Sequence, residues 1–189
     1  QNILVILDKI IDKLTNNEDK TFDNETINED IPNKIKENKL KEAFSEFAMQ
    51  HKLLKDNYTL DDRCPSFILE EFRRFDKKLG LPRWKWWLNN AVIMWFERLK
   101  DDRLKFVIEI GPLEPHTRIK FLERLEKKGI KIKKKSKSLD ACYTRIFTPT
   151  KPVLNWNDKD EILNAMNEIY DSEGCRKVVG SLIEVSREI

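Results

Sequence analysis

Residues 84–110 read WKWWLNNAVIMWFERLKDDRLKFVIEI, and this stretch decides the fold of the C-terminal half. Its first sixteen residues are rich in aromatic and β-branched side chains, which are typical of a strand. Its last part, Leu104–Ile110, is also β-rich and alternates in part between apolar and charged residues. The charged residues from Lys100 to Arg103 mark a turn between the two runs. This pattern predicts an antiparallel β-hairpin that ends at Gly111.

Downstream of the hairpin, a helix is predicted from Pro115 to Lys128, with Gly129 just beyond its last turn. Short strands are predicted at Ile130–Ile132 and Tyr143–Phe147.

Two more helices follow, and the first of them begins with a predicted capping box of Asp158 and Glu161. Residues 81–189 are therefore predicted to form an α+β lobe built on the β-hairpin.

Upstream of the hairpin, the patterns are helical. Apolar residues recur at helical spacing from Ile3 to Leu14, which predicts a strongly amphipathic helix. Residues 16–32 are polar and acidic, as in a mobile linker. Two further helices are predicted, from Leu40 to Leu54 and from about Pro65 to Gly80. Residues 1–80 are thus predicted to form a helical lobe.

Together these patterns predict an α+β fold, with a helical N-terminal lobe packed on a small, mostly antiparallel sheet with flanking helices. A chain of 189 residues is long enough for one domain, or for two small lobes that share a core. Charged residues make up 37% of the chain, yet its net charge is only +3. Any attraction to nucleic acid must therefore come from local clustering of charge.

The three cysteines are far apart in sequence, and no Cys/His spacing matches a zinc site. We therefore expect reduced thiols, with no disulfide framework and no cofactor. No run of about 18 apolar residues is present, so we expect a cytoplasmic protein without a membrane partner.

The densest charge lies in residues 127–138, KKGIKIKKKSKS, which we call the lysine loop. It holds seven lysines and no acidic residue. Lysines this close repel one another unless an anion is near, and nucleic-acid phosphate is the usual anion. The residues predicted to contact it are Lys131, Lys133, Lys134, Lys135 and Lys137, with Arg118 and Lys120 as a second basic strip. A solubilising loop without a ligand is the alternative interpretation.

Two other groups of residues could bind or react. Tryptophans 84, 86, 87 and 95 lie near basic residues, which suits base stacking, although burial between the lobes is the favoured interpretation. Glu114 and His116 stand at a predicted helix N-terminus, where free N–H groups attract anions. His116 could also transfer protons, but an exposed histidine without a chemical role is favoured there.

The hairpin itself invites comparison with metal-dependent nucleases of the PD-(D/E)XK type. Asp101 or Asp102 together with Glu109 could hold a divalent cation. The catalytic lysine of that pattern would stand two positions after Glu109, where this chain has Gly111. The triplet Glu37-Asn38-Lys39 matches the Glu-x-Lys part of that motif. It stands at the start of a predicted helix, however, and no apolar strand precedes it. The sequence therefore contains no complete catalytic motif.

The order of features in the C-terminal half nevertheless resembles one known region. An aromatic strand with a WW pair is followed by the E-I-G-P turn at 109–112, by a helix carrying Arg118 and Arg124, and by a later helix at Trp156 to Glu161. From Leu81 to Tyr170 this order resembles the region after the catalytic core in some bacterial PD-(D/E)XK-superfamily proteins of mobile elements and phage defence. The resemblance implies a non-catalytic accessory domain beside a nuclease core that would lie before Gln1.

Three hypotheses follow. The leading one is a non-catalytic, nucleic-acid-associated domain of a bacterial restriction or defence-type protein, whose lysine loop contacts the phosphate backbone. The second is a protein-interaction or regulatory module that docks or self-associates through the helix from Ile3 to Leu14. The weakest is a divalent-metal-dependent nuclease that uses Asp101, Asp102 and Glu109.

Overall fold

Six antiparallel strands form one sheet in the computed structural model, which describes residues 39–79, 90–111 and 113–188. In chain order the strands are β1 (Tyr58–Thr59), β2 (Ser66–Phe67), β3 (Val92–Arg98), β4 (Arg103–Ile110), β5 (Thr144–Phe147) and β6 (Thr150–Pro152). The first five lie side by side in chain order, and β6 pairs with β4. β5 pairs with the Ile110 end of β4 and β6 with the Arg103 end, so both lie along the same edge of that long strand.

The predicted hairpin is confirmed, and it forms the centre of the sheet. Its register runs from Val92 opposite Ile110 to Arg98 opposite Leu104. Asp102 occupies the turn with a positive φ of 60°, a conformation that aspartate tolerates better than most residues. The charged residues from Lys100 to Arg103 therefore contain the turn that the sequence predicts between the two strands.

The helices in the described residues are α1 (Leu40–Gln50), α2 (Glu70–Leu79), α3 (Pro115–Lys127), α4 (Lys159–Tyr170) and α5 (Glu173–Glu188). α1 packs against α4, while α2 and α3 both pack against α5, and α4 lies against β4. These contacts confirm the predicted α+β fold, with helices covering an antiparallel sheet.

Alternation along the central strands separates the two faces of the sheet. Alternate residues of β3 and β4, among them Met94, Phe96 and Phe106, belong to the large core shared with the helices. The residues between them, such as Trp95 and Val107, form a small separate cluster on the opposite face. The hairpin is therefore buried on one side by helices and keeps a distinct surface on the other.

The main core is dominated by phenylalanine rings. Phe96 and Phe106 face each other across the hairpin with their ring centroids 4.7 Å apart, and Phe47 of α1 meets Phe96 edge-on at 5.2 Å. Phe67 of β2 stacks on both strand rings. Elements from both sides of the predicted boundary at residue 80 thus share one sheet and one core, and all described residues fall in one compact unit.

Two local predictions are wrong. The helix predicted from about Pro65 begins only at Glu70, because Ser66 and Phe67 pair with Trp95 and Met94 as a strand. No strand forms at Ile130–Ile132, since the Ile130 amide donates back to the carbonyl of Leu125 and closes the end of α3. In both places long-range or helix-end hydrogen bonds override the local pattern.

The capping box predicted at the start of α4 is confirmed in part. Asp158 caps α4 as predicted, because its carboxylate accepts from the amides of Asp160 and Glu161. Glu161 does not complete the capping box; its carboxylate accepts from the amides of Leu154 and Asn155 instead. The helix from Ile3 to Leu14, the linker at 16–32 and three of the tryptophans (Trp84, Trp86 and Trp87) lie outside the described residues.

Candidate functional site

The lysine loop starts at the end of α3 and continues into a short 3-10 turn. α3 ends at Lys127, and Gly129 follows with a φ of +82°, which a residue without a Cβ adopts at little cost. Lys133, in an extended conformation, leads into the 3-10 helix Lys134–Lys137. The loop therefore has a defined backbone path, which begins from a rigid helix.

Arg118 of α3 holds this path from beneath. Its side chain is completely buried, and its guanidinium donates to the carbonyls of Ser136 and Ser138, the second bond being 2.5 Å long. It also reaches the hydroxyl of Thr144 in β5 at 3.5 Å. Burial lowers the pKa of Arg118, but a guanidinium stays charged at neutral pH.

This arrangement corrects one predicted contact. Arg118 was expected on a surface strip beside Lys120, whereas the structure buries it completely beneath the lysine loop. The reason is geometric: a planar guanidinium can satisfy several carbonyls of a tight turn at once, which a lysine cannot do. Arg118 is therefore a positioning residue for the loop, and Lys120 stands exposed on α3 without it.

The lysines of the loop divide into paired and unpaired residues. Lys137 donates to Glu126 at 2.6 Å, and Lys128 bridges Glu184 and Glu188 of α5. The exposed lysines of the loop that form no ion pair within the described part of the chain are Lys127, Lys131, Lys133, Lys134 and Lys135. Four of the predicted phosphate contacts are among them: Lys134 and Lys135 lie on the 3-10 turn, and Lys131 and Lys133 lie in the segment that leads into it.

Several lysines elsewhere in the described structure are paired with nearby acids. Lys105 pairs with Glu97 at 2.7 Å, for example, and Lys151 and Lys159 contact Glu168 and Glu46. The lysine loop differs because the four side chains lie within five positions and have no carboxylate among them. The positive potential of the described surface is therefore expected to be strongest there.

The N-terminus of α3 does not offer an open anion site. The carboxylate of Glu114 accepts from the amides of His116 and Thr117, at 3.0 and 2.8 Å, and from the Thr117 hydroxyl. These bonds lower the pKa of Glu114. The free N–H groups predicted to attract a ligand are already satisfied by the cap, and His116 is an exposed first-turn residue.

The hairpin acids lie too far apart for a shared cation. Asp101 pairs with Arg103 and Asp102 with Arg98 at the turn, whereas Glu109 lies near the other end of β4, about 20 Å away at strand spacing. Glu109 is almost fully buried, and Arg145 donates to it at 2.8 Å. Burial raises the pKa of Glu109, and Arg145 opposes that rise.

Within the described ranges, no three His, Cys, Asp or Glu side chains are placed to hold a metal ion. The weakest of the three hypotheses therefore gains no support from this geometry.

A groove of about 530 Å³ lies on the sheet face opposite the main core. Its lining includes Asp61, Cys64, Trp95, Glu97 and Arg145. Arg145 sits over the Trp95 ring at 5.5 Å, and its charge is already paired with buried Glu109. The other two charged residues of its lining are the acids Asp61 and Glu97, so the lining offers phosphate no unpaired cation.

The remaining candidate residues are structural. His51 contacts Asn167 at 3.0 Å and packs against Phe47 and Tyr170. All three cysteines are free thiols, and burial raises the pKa of Cys175 to about 12.

For one exposed residue near the lysine loop, the sequence pattern predicts only a place in a strand. Tyr143 is 57% exposed and directly precedes β5, whose first residue, Thr144, lies against Arg118. A tyrosine at the start of a predicted strand carries no sequence signal that separates exposure from burial, so only the structure identifies it.

No protein family, curated protein or solved structure matches this chain. Among the described residues, no helix has both the length and the apolar character needed to cross a membrane.

Proposed function

We propose that this chain is a nucleic-acid-binding domain that contacts the phosphate backbone through Lys131, Lys133, Lys134 and Lys135 and catalyses no reaction itself. The observation that carries the proposal is that these four exposed lysines, unpaired within the described residues, lie in the turn that buried Arg118 holds in place and in the segment that leads into it. A role as accessory domain of a bacterial restriction or defence-type protein stays a prediction from the resemblance.

The electrostatic argument concerns local charge. Two lysine ammonium groups about 8 Å apart in water repel by roughly 0.5 kcal/mol, and four lysines within five positions form several neighbouring pairs. Most folded surfaces reduce this repulsion by interspersing acids, as this protein does at its other lysine pairs. A polyanion that bridges the four ammonium groups would replace the repulsion with attraction and release condensed counterions.

The loop geometry favours binding because it reduces the entropic cost. Arg118 and the ion pair between Lys137 and Glu126 hold the backbone of the turn before a ligand arrives. Only the lysine side chains then need to be ordered on binding. Lys137 and Lys120 are expected to contribute less, since the first is paired and the second lies on α3 rather than on the turn.

Salt-dependent binding tests the proposal. With four phosphate contacts, the logarithm of the affinity for a single strand should fall with the logarithm of the salt concentration at a slope of about −3, a loss of about 50-fold between about 50 and 200 mM. The variant with all four lysines changed to alanine (Lys131, Lys133, Lys134 and Lys135) should lose most of this slope. Fluorescence anisotropy of a labelled oligonucleotide measures both.

A charge-matched control separates local from overall charge. Alanine at the exposed residues Lys52, Lys55, Arg63 and Lys100 also takes the formal net charge from +3 to −1. This control should retain the slope of the unmodified chain. Equal, weak binding by the unmodified chain and both variants at low salt would refute the proposal.

A further inference from the structure

Among the described residues, Tyr143 is an exposed aromatic residue that directly precedes Thr144, which contacts the arginine holding the lysine loop. It is 57% exposed, and the other tyrosines and phenylalanines in the described residues are buried or half-buried. Leu139, within the same connection between the 3-10 turn and β5, is 55% exposed. An aromatic ring left on the surface beside a cluster of cations is a combination that suits a nucleobase.

The buried guanidinium of Arg118 determines where Tyr143 lies. One of its nitrogens, Nη1, bonds both to the carbonyl of Ser136 and to the hydroxyl of Thr144, which follows Tyr143 directly. Fully extended, the eight residue-to-residue steps from Ser136 to Thr144 would span up to about 26 Å. The shared guanidinium instead brings the start of β5 close to the 3-10 turn, so Tyr143 and the lysines belong to neighbouring segments of the fold.

From this juxtaposition we infer that the ligand is a single-stranded nucleic acid, with one base stacked on Tyr143 while the lysines of the turn hold neighbouring phosphates. The inference rests on the proposed function and narrows its ligand. In a duplex the faces of the bases are stacked on each other, whereas a single strand can present a face to a protein ring.

The shape of the lysine loop also disfavours binding in the groove of a DNA duplex. A protein commonly reads the major groove of DNA with an α-helix or a two-stranded ribbon that fits its width. The element carrying the unpaired lysines is a 3-10 turn of four residues, Lys134–Lys137, and the extended segment before it. Such a turn can follow a phosphate backbone, but it is too short to lie along a groove.

An oligonucleotide without bases isolates the stacking contact. The unmodified chain is titrated with oligo-dA of about 12 nucleotides, and with an abasic strand of the same length and charge. Oligo-dA should bind about 5- to 150-fold more tightly, the range expected for one aromatic–base stack. Equal affinity for the two strands would overturn the inference, and this comparison needs no variant.

Variants at Tyr143 assign the difference to one ring. Tyr143→Ala should weaken binding of oligo-dA by about 5- to 150-fold and leave the abasic strand unaffected, whereas Tyr143→Phe should bind both as the unmodified chain does. Leu154→Ala, at a side chain that is 92% exposed, is the control and should change neither affinity. Parallel titration with oligo-A distinguishes an RNA from a DNA strand, because only RNA offers 2′-hydroxyl groups.

The two proposals fail in different ways. If the four-lysine variant loses binding but Tyr143→Ala binds oligo-dA normally, phosphate contact stands and base stacking is wrong. If Tyr143→Ala weakens oligo-dA and the abasic strand equally, the ring does not stack on a base and the inference is wrong. If the four-lysine variant binds as the unmodified chain does, the proposed function is wrong as well.

Discussion

Buried charges at single positions shape both the site and its stability. Arg118 has no acidic partner among the described residues, and it is stabilised by main-chain carbonyls instead. Its Nε remains without a hydrogen bond there. An unpaired buried cation is costly, so its presence beneath the lysine loop is best explained by the order it imposes on that turn.

Asp76 of α2 is a second residue whose environment opposes its charge. Its Oδ1 accepts from the Ala91 amide at 2.8 Å, but its Oδ2 is buried without a hydrogen bond in the described structure. Burial raises the pKa of Asp76 from 3.8 to about 6, and the Ala91 bond and Arg73 oppose the rise. Between these two values the folded chain binds more protons than the unfolded chain, so stability must fall as pH rises.

We predict that Asp76→Asn removes a pH-dependent part of the folding free energy. The unmodified chain should lose stability between about pH 4 and 7, by up to about 3 kcal/mol if the full shift applies and by about 1–2 kcal/mol after solvent screening. The asparagine variant should lack this loss, because it does not titrate. Urea unfolding across the pH range measures it, and parallel profiles for the two proteins would contradict the prediction.

The end of α3 shows how one element positions another. The Gly129 amide donates to the carbonyl of Glu126, and the next amide donates to Leu125. This reversal directs the chain away from α3 and into the lysine loop. Gly129 can make the turn because its φ of +82° brings no Cβ strain.

Two glycine substitutions are predicted to change stability in opposite directions. Gly129→Ala should cost about 1–2 kcal/mol, because an L-residue is strained at that φ even though the nearest atom, Nζ of Lys177, lies 3.6 Å from the new Cβ. Gly180→Ala in α5 should add about 0.5–1 kcal/mol, since nothing lies within 4 Å of its Cβ and alanine favours a helix. Thermal and urea unfolding measure both. A loss of stability in both variants would contradict the backbone explanation.

At the scale of the whole molecule, the main core joins elements on both sides of residue 80. Phe96 of β3 contacts Phe47 of α1, Phe67 of β2 and Phe106 of β4. A core shared in this way predicts that these elements unfold together rather than as separate lobes.

We therefore predict that Phe96→Ala destabilises α1 and β4 equally. Removing a fully buried ring should cost about 3–5 kcal/mol. The slowest-exchanging amides of α1 and β4 should lose the same opening free energy in native-state hydrogen exchange. Leu154→Ala serves as the neutral surface control. Loss of protection in β4 alone would instead support two independent lobes divided near residue 80.

Much of this architecture could be predicted because the signals are local. The aromatic runs around the charged turn, Gly129 after a helical stripe and Asp158 before one each act within a few residues. These elements are found where the sequence placed them. The strand at Ser66 and Phe67 could not be predicted in the same way, because its hydrogen-bond partners lie in β3, nearly thirty residues away.

The lysine loop shows the same division between local and long-range information. The sequence alone determined that a cluster of cations exists at 127–138, since charge is a property of the residues themselves. Only the tertiary structure decided which of them are neutralised, because Glu126 and Glu184 reach Lys137 and Lys128 through folding. It also decided that Arg118 is buried and that Tyr143 lies beside the lysine turn, since burial and proximity depend on contacts between distant parts of the chain.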